Sequence, residues 1–202
     1  MQLIVLDRDG VINSDSEAYI KSPDEWIPIP GSLEAIARLC RAEYRVIVAT
    51  NQSGIGRGLL DIDTLNHIHA RMLDHIHTKG GDIDAIFFCP HVPDDRCACR
   101  KPKPGMLLDI ANRLKITLHG VPVVGDALSD LYAAKAANAF PSLVLSGKNE
   151  LGLALDQPIE SEPGLIDVPV FQDLAAFTDA LLEGRLAAAI TASRQTTNVD
   201  YP

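Results

Sequence analysis

The sequence predicts a three-layer α/β sandwich, with a mostly parallel central sheet covered by helices on both faces. Short apolar runs alternate with longer segments of helical spacing along most of the chain, the pattern of βα units in a parallel sheet. The 202 residues, 47% of them hydrophobic, are enough for one good core. Polar clusters follow directly on the apolar runs. The carboxyl ends of parallel strands share one edge, so these clusters are expected to meet there.

The first strand is expected at Leu3–Leu6, where four apolar residues run into Asp7. Pro30-Gly31-Ser32 is a turn feeding a helix over Ser32–Ala42. Val46–Ala49 follows as a strand ending on Thr50-Asn51, and Asp63–Thr78 as a helix with apolar residues at helical spacing. Ala85–Phe88 is a strand ended by Cys89, and Lys103-Pro104-Gly105 is a turn into a helix over Met106–Leu114. Val121–Val124 leads to Gly125-Asp126 and a helix over Leu128–Ala137. Strands at Leu143–Leu145 and Val168–Phe171 and a helix over Leu174–Glu183 complete the order. With no internal repeat or Pro/Ser-rich linker, residues 1–190 are expected to form a single domain. The polar, aperiodic "TASRQTTNVDYP", together with the rest of 191–202, is expected to be a disordered tail.

The chain is 22% charged with a formal net charge of −9, and no basic stripe offsets that balance. A nucleic-acid surface is therefore not expected. The opening "MQLIVLDRDG" is too short for a signal peptide or a membrane span. The expected setting is the reducing cytoplasm, with a small-molecule partner, no membrane and a monomeric chain. Cys40 stands alone in a helical stretch and is expected to be a small core residue.

Asp7 and Asp9 stand one residue apart at the end of the first strand, in "LDRDGVINSDSEAYI". Asp9-Gly10 alone could be an ordinary turn, but two neighbouring acids at a ligand-binding edge imply a cation between them. Mg²⁺ suits the pair, because it takes one or two carboxylates together with water and substrate phosphate. Asp126, after "VPVVG", would complete the site, and Asp130 in "GDALSD" would support it through a metal-bound water or an adjoining side chain. A carboxylate nucleophile forming an aspartyl-phosphate, with a second carboxyl as acid and base, makes phosphoryl transfer the expected chemistry. Thr50 and the donors of Asn51, Gln52 and Ser53 in "VIVATNQSG" could hold phosphoryl oxygens. Lys101 in "CRKPKPGM" supplies a point charge.

At these residues the sequence resembles the haloacid dehalogenase phosphohydrolase superfamily: "DRDGV" is similar to its first motif and "VVGDALSD" to its last. The resemblance implies a Rossmann-like core with Asp7 as nucleophile and Asp9 as general acid/base. It also implies Mg²⁺ held by Asp7, the backbone carbonyl of Asp9 and Asp126, with Thr50 and Lys101 as the phosphate-binding hydroxyl and the motif lysine.

"CPHVPDDRCACR" holds Cys89, His91, Cys97 and Cys99. Clustered thiols with a histidine in a cytosolic chain read as metal binding, and a Cys₃His set closes the shell of a structural Zn²⁺. A loop with so few large apolar residues would take its order from the metal. Arg100 and Lys101 follow at once, and with Arg57 and Lys103 they could form the positive patch that an anionic substrate needs.

Within the superfamily, the loop resembles two branches, the heptose bisphosphate phosphatases and the histidinol-phosphate phosphatases. "TNQSGIGRG" and "CRKPKPGM" are closer to the heptose branch, which implies removal of the 7-phosphate of D-glycero-D-manno-heptose 1,7-bisphosphate, in ADP-heptose biosynthesis for lipopolysaccharide. Arg100 would contact the sugar phosphate. Where that branch commonly has a lysine after the last-motif Asp, this chain has Ala127. Neither branch carries a large cap, and "VINSDSEAYIKSP" leaves only an entrance loop, from which Asp15, Ser16 and Tyr19 could bind sugar hydroxyls. The alternatives are histidinol-phosphate phosphatase, polynucleotide 3′-phosphatase and a non-catalytic zinc-binding interaction module.

Overall fold

The computed structural model describes residues 2–149, 152–155, 159, 162 and 164–195. Six strands form one sheet: β1 Gln2–Leu6, β2 Tyr44–Asn51, β3 Ala85–Cys89, β4 Pro122–Gly125, β5 Phe140–Val144 and β6 Val170–Phe171. Their order is β3-β2-β1-β4-β5-β6, and every pairing is parallel. The chain moves outward from β1 to β3, then crosses back to place β4 on the other side of β1. The crevice between the ends of β1 and β4 is therefore the topological switch point, where α/β sheets bind ligands.

Alternation along the strands sorts the core into two layers. Ile4 and Leu6 of β1 and Val46 and Val48 of β2 face one side. There they meet α1 (Ser32–Arg41), α2 (Ile62–Thr78) and α5 (Leu174–Leu182) through Ile36, Leu65, Met72 and Phe177. Leu3, Val5, Ile47 and Ala49 face the other side, against α3 (Gly105–Leu114) and α4 (Leu128–Ala136). Both faces are buried, so the strands read as continuous apolar runs. Asp61 caps α2 by accepting from the Thr64 N–H at 2.7 Å, and Asp173 caps α5 by accepting from the Ala176 N–H at 2.8 Å.

Three expectations need correction. β5 begins at Phe140, not Leu143, and includes Pro141. The Leu143 N–H reaches toward β6, to the Pro169 carbonyl at 3.0 Å, so by alternation the Pro141 nitrogen points the same way. β6 is only two residues long and does not pair there, so the proline costs no ladder bond. β6 itself is Val170–Phe171, shorter than expected, because Val168 turns inward to a small cluster with Leu131, Leu143 and Leu165. The expected disordered tail also starts too early: α6 (Ala187–Gln195) runs through residues 191–195, with Ile190 packed on the core. The rest of that stretch, 196–202, lies outside the described residues.

Between Asp9 and β2, the described elements are a 3-10 turn at Pro23–Glu25 and α1, with no cap domain. Trp26, fully buried, pins this entrance segment by donating its indole N–H to Asn13 Oδ1 at 2.9 Å. No helix among the described residues is long and apolar enough to cross a membrane.

Candidate active site

Asp7 leaves β1 with its N–H bonded to the Val124 carbonyl of β4 at 2.9 Å, which sets its carboxylate at the switch point. Asp126, just past β4, faces it. Carboxylate oxygens of Asp7, Asp126 and Asp130 all lie within 4.8 Å of one another. Two glycines let the chain close around Asp126. Gly10, at φ +80°, and Gly147 both come so near that a Cβ on either would run into its carboxylate. The Lys148 N–H then donates to Asp126 Oδ2 at 2.9 Å.

Lys101 is buried among these acids, with Nζ 3.0 Å from Asp7 Oδ1 and 2.5 Å from Asp130 Oδ1. It also donates to the Ala49 carbonyl at 2.8 Å. Burial works against its charge, but Asp130 and Asp7 outweigh burial and raise its pKa. One cation does not neutralise three acids. Burial pushes Asp7 up to about 7, against the pull of Lys101 and with added repulsion from Asp130 and Asp9. Burial, then the charges of Asp7 and Asp130, lifts Asp126 to about 8. Such a buried surplus of negative charge fits a divalent cation.

Asp9 is set differently. Burial would raise it as well, but the Arg8 guanidinium and bonds from Asn13 and Gln52 hold it below the ordinary carboxylate value. Arg8 donates through Nε at 3.0 Å and Nη2 at 2.8 Å, Asn13 Nδ2 at 2.8 Å, and Gln52 Nε2 at 2.9 Å. Gln52 also donates to Thr50 Oγ1 at 2.9 Å. The Thr50 oxygen is thus already an acceptor, and its own proton is left for another oxygen in the cleft.

These groups line a cleft of about 470 Å³. Every residue expected to touch substrate borders it: Asp15, Ser16, Tyr19, Asn51, Gln52, Ser53, Arg57 and Arg100. Their duties differ from a uniform set of donors. The Asn51 side chain exchanges two bonds with the Lys101 backbone, at 3.1 and 3.2 Å, so it ties the end of β2 to the Lys101 loop. Arg57 is exposed, its guanidinium 6.0 Å from the centre of the Tyr19 ring. Arg100 donates to the His91 carbonyl at 3.3 Å. Lys103 does not border the cleft and donates to the Arg96 carbonyl at 2.6 Å instead.

Beside the cleft, Cys89, His91, Cys97 and Cys99 converge. Their sulfurs lie 3.4 to 3.6 Å apart, and His91 Nδ1 lies 3.3 and 3.5 Å from two of them. A tetrahedron with Zn–S bonds of about 2.3 Å has edges of about 3.8 Å, so the set is nearly the size of a metal shell. No disulfide competes for these thiols.

Sequence reasoning missed four groups. Arg8 continues the parity of Ile4 and Leu6 into the core, and that alternation was the available signal. Asn13 holds Asp9, and His69 touches Arg8 at 3.3 Å. Lys148 borders the cleft 3.4 Å from Asp15 and belongs to no motif that would have disclosed it.

The sequence model of the haloacid dehalogenase-like hydrolases matches residues 1–138. A curated relative from Bordetella bronchiseptica, named D-glycero-beta-D-manno-heptose-1,7-bisphosphate 7-phosphatase, is 54% identical over 91% of this chain and 99% of its own length. A relative of the same name from Pseudomonas aeruginosa is 51% identical over 90% of this chain and 98% of its own. A solved structure of the D,D-heptose 1,7-bisphosphate phosphatase from B. bronchiseptica, complexed with magnesium and phosphate, superposes with a TM-score of 0.84. It is 54% identical and covers 91% of this chain and 99% of that one. A match over more than half the chain, together with paired acids at the switch point, places it: this chain belongs to the haloacid dehalogenase-like hydrolases.

Proposed function

We propose that the chain is a Mg²⁺-dependent phosphatase that removes the 7-phosphate of D-glycero-β-D-manno-heptose 1,7-bisphosphate through an aspartyl-phosphate on Asp7. The observation that carries the chemistry is the meeting of Asp7, Asp126 and Lys101 where β1 and β4 part. The names of the relatives, and their match over nearly their whole length, support the substrate and the β anomer.

An Asp7 carboxylate oxygen forms a bond to phosphorus as the bond from phosphorus to the sugar oxygen breaks. Asp9, ionised before substrate binds, takes up a proton beside the incoming phosphate anion and gives it to the leaving alkoxide. Asp9, now a carboxylate, takes a proton from water, whose oxygen attacks phosphorus and releases Asp7. Thr50 donates its free hydroxyl proton to a phosphoryl oxygen, and Lys101 holds positive charge beside the nucleophile throughout. Asp7, the Asp9 carbonyl and Asp126 would hold Mg²⁺, which when bound supplies charge against the approach of one anion to another. Asp130 stands behind, anchoring Lys101 and accepting from the Ala127 N–H at 3.1 Å. Arg57 and Arg100 bind the second phosphate, while Asp15, Ser16 and Tyr19 meet sugar hydroxyls. The Cys₃His set holds a structural Zn²⁺ that orders the loop ahead of Arg100 and Lys101.

The test compares kcat/KM for the two heptose bisphosphate anomers and for histidinol phosphate. A preference for the β anomer is expected, and faster turnover of histidinol phosphate would overturn the substrate. The Asp7→Asn variant should fold and turn over at background, and near-parental activity would end the mechanism.

A further inference from the structure

The buried stripe of α2 is Leu65, Ile68, His69, Met72 and Ile76. An imidazole in the middle of an apolar stripe needs a partner, and its partner is Arg8. The Arg8 side chain is only 1% exposed, and its Nη1 meets His69 Nε2 at 3.3 Å. The other edge of the guanidinium, Nε and Nη2, grips Asp9. Burial and the Arg8 charge hold His69 down to about 3. It is therefore neutral, carries its proton on Nδ1, and presents Nε2 as an acceptor. Its ring is steadied edge-on by Phe88, with centroids 6.3 Å apart.

An arginine that grips the next residue must fold back on its own backbone. Two-point contact with a carboxylate fixes one edge of the guanidinium, and an acceptor at the opposite corner fixes its rotation. His69 supplies that corner. The other members of the cage are oriented in the same manner, Asn13 by the Trp26 indole and Gln52 by Thr50. Asp9 is thus held by three side chains, each aligned by another residue.

We propose that His69 is a positioning residue for the reaction, acting through Arg8 to fix where the Asp9 carboxyl stands against the leaving oxygen and the attacking water. The inference rests on the assignment of Asp9 as acid and base in the phosphatase reading. His69 touches no reacting atom, and it governs the geometry of proton transfer while leaving substrate binding alone.

The test compares His69→Gln, whose amide oxygen can reach the place of Nε2, with His69→Asn, which is polar but too short. Both are assayed on the heptose bisphosphate and on p-nitrophenyl phosphate, whose leaving group needs no proton. The Gln variant should keep kcat within about threefold of the parent, while the Asn variant should lose about 10- to 100-fold on the sugar ester with KM little changed. On the aryl ester, the Asn variant should form the aspartyl-phosphate at the parental rate. That appears as a burst of about one nitrophenolate per enzyme before slow turnover, because hydrolysis still needs Asp9. A merely structural histidine would not separate the two esters. Equal activity of the Gln and Asn variants, or equal losses on both esters with no burst, overturns the inference alone. A parent enzyme inactive on both esters sinks it together with the phosphatase reading.

Discussion

Metal binding at this site should be strongly linked to pH, and the linkage can be worked from the two acids that face each other across the switch point. Metal-free Asp7 sits at about 7 and Asp126 at about 8, and both must be ionised to hold Mg²⁺. At pH 8 both carboxylates are charged in roughly half of the molecules, and at pH 6 in only about one in a thousand. The apparent Mg²⁺ affinity should therefore fall about 500-fold between pH 8 and pH 6, with nearly two protons released per ion at the lower end. Isothermal titration in buffers of different ionisation heat measures the affinity and counts the protons. The same shifts fix a sign for stability. Each carboxyl holds its proton more tightly in the fold than in the unfolded chain, so the metal-free protein loses stability as pH rises from 7 to 8. His69 does not mask this: with its folded pKa at about 3, it is neutral in the fold and mostly neutral unfolded in that window. A Mg²⁺ affinity flat from pH 6 to 8, or a metal-free melting temperature that rises from pH 7 to 8, would refute the picture of uncompensated acids.

Lys101→Met should abolish turnover and cost about 3–5 kcal/mol of stability, because Asp130 is left buried without its cation; chemical denaturation measures it. Gly147→Ala drives a methyl into the buried Asp126 side chain, so it should weaken Mg²⁺ binding and also lower the melting temperature of the metal-free protein. Cys97→Ser should lower bound zinc below one per chain by elemental analysis. It should also raise KM more than it lowers kcat, since Arg100 borders the cleft while Lys101 stays tied to Asn51.

The chemistry was legible where it sits on short motifs at strand ends. Asp7, Thr50 and Asp126 each follow an apolar run, and parallel topology alone brings them to one edge. The thiol loop was legible because its four ligands lie within eleven residues. What escaped has no local signature. The grip of His69 on Arg8 joins residues 61 positions apart, and only the packing of α2 on β1 creates it. Lys148 reaches the cleft because Gly147 lets the backbone approach Asp126, an approach that spacing does not encode. The strand expected at Leu143–Leu145 missed its true start at Phe140, because only the shortness of β6 lets Pro141 sit inside it. Helix α6 was hidden because four alanines and a polar end make no clear stripe, although Ile190 packs against the core.

The reciprocal bonds between the Asn51 side chain and the Lys101 backbone tie the far end of the thiol loop to the last residue of β2, whose own backbone pairs with Cys89 at the loop's start. Residues 92–96, between His91 and Cys97, are consequently the exchangeable part of a loop whose two feet are fixed to the scaffold. Its length and outward-facing residues can be exchanged without disturbing the lysine at its base. An enzyme built this way can acquire a new substrate by regrafting its rim, leaving the reacting atoms where they were.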